Sequence, residues 1–147
     1  MTVSAPWERR VHFSIEVGQF IALVVAVVVD LVSTGGHSES LFAMGVATIY
    51  VLGSAAVPEE WYHIRFGAEA ITLMGAFLTV VAITLTGGPS SPYLLLSMGP
   101  PIFATLYGGI RSGLMTGLLS AGLLALVTLS QDLPLVDAAP AMALYLV

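Results

Sequence analysis

Long apolar runs separated by short polar or Gly/Pro-rich turns dominate the chain. The first run extends from Val11 to Val32 and breaks at Ser33-Thr34-Gly35-Gly36-His37-Ser38-Glu39-Ser40. The second, Leu41 to Val57, stops at Pro58-Glu59-Glu60. The third, Phe66 to Leu85, stops at Thr86-Gly87-Gly88-Pro89-Ser90-Ser91-Pro92. The fourth covers Tyr93 to Ile110, and the fifth, Gly113 to Leu129, ends in Ser130-Gln131-Asp132-Leu133-Pro134. A last run opens near Ala139 and breaks off at Val147. A helix needs about 20 apolar residues to cross roughly 30 Å of hydrocarbon. The pattern therefore predicts an all-α, polytopic transmembrane helix bundle with five complete spans and the start of a sixth. Residues 1–10 form a cytoplasmic segment before it, and 11–147 form the bundle. A spanning helix that stopped after two turns would leave its last carbonyls without partners in lipid. The expectation is that the chain continues past Val147 into the cytoplasm.

Charge placement orients the bundle. Arg9 and Arg10 precede the first run, Arg65 lies between the second and third, and Arg111 between the fourth and fifth. These are alternate connections, and the others, at 33–40, 86–92 and 130–138, hold no arginine. The excess of positive residues on one side predicts a cytoplasmic N-terminus.

Composition excludes several classes. Of 147 residues 57% are hydrophobic and 9% charged, against roughly 25% charged in a soluble domain; mean hydropathy is +0.96. The formal net charge of −5 argues against a nucleic-acid partner, which needs a basic face. The absence of cysteine removes disulfides and thiolate metal sites. The first run is too long for a cleavable signal peptide, and no small-residue cleavage site follows it.

Candidate chemistry is sparse. Gly109, Gly113, Gly117 and Ala121 recur every four residues and give the fifth span a small-residue face, as Gly18, Ala22 and Ala26 do on the first. Such faces serve helix packing within the bundle, or homodimerisation. Pro100 and Pro101 fall within the fourth span and predict a kink, since neither has an N–H to give the preceding turn. Glu16 and Glu69 lie near the cytoplasmic ends of their spans and Asp30 near the outer end of the first, all read as interfacial carboxylates, with Arg65 placed to pair with Glu69. His12, His37 and His63 show no metal-ligand spacing. Trp7, Trp61, Tyr62, Tyr93 and Tyr107 sit near span ends, as an aromatic belt does. No nucleophile–base set, phosphate loop or kinase motif is present. The most distinctive stretch is Thr86 to Tyr93, where paired glycines permit positive φ and two prolines stiffen the return.

That stretch resembles the membrane-embedded input domain of bacterial sensor histidine kinases, the six-span type of the RegB and PilS kinds. Their outer loop between the third and fourth spans reads Gly-Gly-x-x-Asn-Pro-Phe. Gly87, Gly88, Pro92 and Tyr93 match it, with Tyr for Phe, and Ser91 stands where the family has Asn. The Pro-Pro at 100–101 and Gly-Gly-Ile-Arg-Ser-Gly at 108–113 are also similar. The resemblance implies a sensory domain in a bacterial inner membrane. It further implies a homodimer, a kinase region beyond Val147 and a response regulator as its partner. It makes Gly87, Gly88, Pro89, Ser91, Pro92 and Tyr93 the candidate site for a quinone or another lipid-soluble ligand. No catalytic residue is expected in this chain. Two other classes fit the same composition: a substrate-binding subunit of a vitamin-type transporter, and a structural or assembly membrane protein.

Overall fold

The computed structural model describes residues 6–64, 66–130 and 143. The stretch 131–138, the run 139–147 apart from residue 143, and Arg65 with its expected pairing to Glu69 therefore lie outside the described residues. The described residues are 91% helical, with no strand among them: α1 (Pro6–Thr34), α2 (Ser38–Ala56), the single-turn α3 (Glu59–Tyr62), α4 (Gly67–Leu85) and α5 (Gly99–Ser130). Two 3-10 stretches, Gly88–Ser90 and Pro92–Met98, lead from α4 into α5. Four helical stretches are long and apolar enough to cross a membrane: Trp7–Thr34, Ser38–Ala56, Gly67–Leu85 and Pro92–Leu129. Their outward surface is itself apolar, with Phe20, Ile21, Phe77, Ile110, Leu118 and Leu126 more than half exposed. A contiguous apolar exterior of this kind matches a hydrocarbon solvent and not water.

The fourth of these stretches, 38 residues long, does not run straight. A straight helix of that length would extend ~57 Å, nearly twice the hydrocarbon thickness. Gly109 breaks it with φ 80° and ψ 175°, a conformation in which a Cβ would be strained. Beyond this break the chain returns along itself. A Cβ placed on Gly113 would stand 3.2 Å from the carbonyl oxygen of Pro101, although twelve residues of straight helix separate two positions by ~18 Å. Residues 99–108 and 110–130 are thus the two arms of a helical hairpin.

Pro100 and Pro101 occupy the first turn of α5, directly after the 3-10 stretch Pro92–Met98. A first turn has no intrahelical acceptor to offer, so the missing N–H groups cost nothing there. The kink expected of the prolines within a continuous α-helix is therefore not what they make: the fourth apolar run changes from 3-10 to α-helix at this point, and the break inside α5 falls at Gly109.

Small residues set the close approaches inside. Ala26 of α1, Ala43 and Ala47 of α2, Ala82 of α4 and Leu124 of α5 are buried together with Ile83 and Leu96. Gly75 of α4 leaves room for the Tyr50 ring of α2, whose Cε2 would lie 2.6 Å from an added Cβ. Gly99 does the same for Gln19 and the Tyr50 hydroxyl. In the small-residue series, Gly113 and Gly117 are buried and Ala121 packs against the core, while Gly109 is exposed at the hairpin tip. On α1, Gly18 faces outward with nothing within 4 Å of an added Cβ.

Candidate functional site

Three polar groupings interrupt the apolar interior, two at opposite ends of the bundle and one between them. The first is built around the stretch that the sequence singles out. Gly87 (φ 102°) and Gly88 (φ 60°) reverse the chain after α4. The return is closed by Ser90 N–H donating to the Gly87 carbonyl and Ser91 N–H to that of Gly88, at 3.3 and 3.0 Å. The Ser91 hydroxyl oxygen accepts from the Tyr93 N–H at 3.1 Å, capping the 3-10 helix that Pro92 begins. It also lies 2.6 Å from Thr86 Oγ1.

Tyr93 then enters the core, 0% exposed, and donates its hydroxyl to Asp30 Oδ2 of α1 at 3.1 Å. Asp30 itself is 1% exposed. It is enclosed by the protein, one turn before the end of α1. Ser40 of α2 donates to the same oxygen at 2.6 Å, and Thr34 Oγ1 stands 3.5 Å from Oδ1. A carboxylate withdrawn from water is tolerated only when donors surround it, and here they come from three separate elements. Of the candidate ligand residues, Gly88, Ser91 and Tyr93 are buried, Pro89 and Pro92 half-buried, and Gly87 is exposed. The structure brings Ser91 and Tyr93 together with Asp30, Ser40 and Thr86, partners that sequence spacing did not reveal. The available signal was an acidic residue inside an apolar span, which marks a site by its cost.

The second grouping lies at the other end, where α1 begins, α2 has ended and the α5 hairpin turns. His12 Nε2 is 2.8 Å from Glu16 Oε1, and His12 Nδ1 is 2.5 Å from the Tyr107 hydroxyl. Tyr62, Phe103 and Tyr107 present edge-on rings to the imidazole, with centroids 5.5, 5.1 and 5.7 Å away. Tyr62 also stacks on Tyr107 at 4.7 Å. Burial, and after it the negative charge of Glu16, push the Tyr62 phenol up to about 12, so it stays neutral at cellular pH. The i, i+4 spacing of His12 and Glu16 was legible in the sequence; the closure by Tyr107, 95 residues away, was not.

Between the two ends, Gln19 Nε2 donates to the Tyr50 hydroxyl at 2.7 Å, and Gln19 Oε1 is buried without a hydrogen-bond partner among the described residues. A groove of about 520 Å³ opens between α2 and α4 beside this pair, lined by Ile49, Tyr50, Gly53, Trp61, Met74 and Gly75 among others. Its lining is almost entirely apolar. Among the described residues, no three His, Cys, Asp or Glu side chains converge as metal ligands.

The role of Ser91 as a cap can be checked by substitution. Ser91→Ala is expected to destabilise the protein by about 1 kcal/mol, the usual cost of losing such a cap, while Ser91→Thr, which keeps the hydroxyl, retains most of the stability. Thermal unfolding in lipid nanodiscs measures both.

The chain matches no protein-family model, no curated protein and no solved structure.

Proposed function

We propose that this chain is the membrane-embedded input domain of a bacterial sensor histidine kinase. In this reading it crosses the inner membrane five times within the described residues, the two arms of α5 counting separately, and a sixth time after them. The N-terminus and the His12 grouping face the cytoplasm with the arginines, and the Asp30 grouping faces outward. The domain acts as a homodimer and passes its state to a kinase region beyond Val147, and so to a response regulator.

The observation that carries the reading is the tie between the outer loop and α1 through Tyr93 and Asp30. A turn that only connected two helices would have no need to bury a tyrosine against a carboxylate of a third. This one is wired into the bundle, so whatever disturbs it alters the packing of α1. A lipid-soluble ligand with a carbonyl or hydroxyl head, a quinone among them, would compete for the bonds made by Ser91, Tyr93 and Asp30. It would shift the balance between two packings by its difference in affinity for them. Ser91, where the resembling family carries Asn, also supports the reading. The cap it makes to the Tyr93 N–H is one that Asn and Ser side chains both provide.

Two experiments test this. Because the chain has no cysteine, single cysteines report topology without background. His37→Cys and Ser90→Cys are expected to react with a membrane-impermeant maleimide added outside spheroplasts, and His63→Cys and Ile110→Cys only after lysis. Labelling of Ile110→Cys from outside would contradict the hairpin as two crossings. For function, Gly88→Val and Pro92→Ala in the full-length product are expected to insert normally and to change autophosphorylation in proteoliposomes. Unchanged phosphorylation in both, or a natural product with no kinase region, would overturn the reading.

A further inference from the structure

We propose that His12 is a proton-binding site, and that Tyr107, His12 and Glu16 form a hydrogen-bonded relay whose direction reverses when the proton binds. The assignment rests on which atoms can donate. A carboxylate only accepts, so the imidazole nitrogen 2.8 Å from Glu16 Oε1, Nε2, carries a hydrogen. In a neutral imidazole the other nitrogen is then an acceptor. Nδ1 therefore receives the Tyr107 O–H, and the relay runs from Tyr107 through His12 to Glu16.

A proton taken from water at the interface can bind only at Nδ1, the one nitrogen with a lone pair. Once it does, Nδ1–H donates and the Tyr107 oxygen must accept, so the tyrosine's own hydrogen rotates away from the imidazole. No covalent bond in the protein breaks. The pair with Glu16 becomes a full ion pair at i, i+4 spacing. The side chains of His12 and Glu16 are 12% and 23% exposed, shielded enough for the pair to matter and open enough for the proton to arrive.

Among the described residues, the titratable groups near the site include Glu8, one turn before His12 on α1. Glu16 comes from the same helix, Tyr62 and His63 from α3 and the residue after it, and Tyr107 from α5. Glu69 of α4 lies beside Gly108, with its Oε1 3.8 Å from where a Cβ would stand, and Arg111 is exposed just past the hairpin tip.

What the reversal moves follows from the same contacts. Tyr107 stacks on Tyr62, meets the edge of the His63 ring at 5.4 Å, and directly precedes Gly108 and Gly109, where α5 turns back. A change in how its hydroxyl is held acts on the junction of α1, α3 and the hairpin tip. This site stands on its own geometry and does not depend on the kinase reading.

The test is nuclear magnetic resonance of the protein in lipid nanodiscs, with ring-15N histidine and 13Cζ tyrosine, from pH 5 to 8.5. His12 and Tyr107 are assigned by loss of their signals in His12→Gln and Tyr107→Phe. The expected result is a neutral His12 protonated at Nε2, converting to the doubly protonated ring in acid, with the Tyr107 and Tyr62 signals moving at the same midpoint. In Tyr107→Phe, which keeps the ring stack, His12 still takes up its proton but the Tyr62 response is lost. In Phe103→Leu, which removes a ring but no hydrogen bond, both responses remain. A neutral His12 protonated at Nδ1, a Tyr107 signal indifferent to His12, or a Tyr62 response that survives in Tyr107→Phe would each overturn the proposal.

Discussion

A carboxylate held away from water inside a bilayer has to draw its hydrogen bonds from the protein, and Asp30 draws them from α2, from the start of the fourth apolar run and from its own helix. Satisfying that group constrains much else at this end of the bundle. Ser40 must lie at the first turn of α2 with its side chain inward. Tyr93 must dive into the core immediately after the loop, which requires the sharp reversal at Gly87 and Gly88 and the cap at Ser91. The cost of leaving a buried acceptor unpaired exceeds what a typical hydrogen bond contributes when made, so the arrangement is held more firmly by the penalty for breaking it than by the strength of any one bond.

The opposite end solves a similar problem differently. His12 and Glu16 share one helix face and need only Tyr107 to complete their bonding, and aromatic rings from α3 and α5 shield the group. Among the described residues, the interior between the two ends is apolar apart from Gln19, Tyr50 and hydroxyls that bond back to their own helices, such as Thr72, Thr79, Ser120 and Thr128. Glycines at 75, 99 and 113 set how closely these helices approach. The bundle is thus pinned by polar contacts near each surface and by close backbone approach in the middle, an economy suited to lipid, where apolar burial between helices gives little driving force.

The apolar runs located the long helices among the described residues, because in a membrane the run of apolar residues and the length of the helix are set by the same thickness; the single turn α3 left no such run. The first three runs correspond to α1, α2 and α4, the fourth to the 3-10 stretch Pro92–Met98 with the first arm of α5, and the fifth to the second arm. The runs put the boundary between those arms after Ile110, whereas the backbone turns at Gly109. Its place in an every-fourth-residue series resembled packing, and only the backbone shows it turning the chain. The prolines at 100 and 101 were read as interrupting an α-helix, whereas a preceding 3-10 stretch places them where an α-helix starts. The loop at 86–93 was recognisable from its glycines and prolines, yet its partner Asp30 was not, since no local spacing connects residues 63 positions apart. Long-range polar pairing inside lipid leaves only one trace in a single sequence, a polar residue where hydrocarbon should forbid it.

The most direct test of this account is a double-mutant cycle on Asp30 and Tyr93, with Asp30→Asn, Tyr93→Phe and the pair, read by unfolding in lipid nanodiscs. If the loop is tied to α1 through this bond, the two substitutions are coupled by about 1.5–3 kcal/mol, the range for a hydrogen bond to a charged group. Strictly additive losses would mean that Tyr93 and Asp30 are neighbours without being partners, and the loop would then be an ordinary connection between two helices.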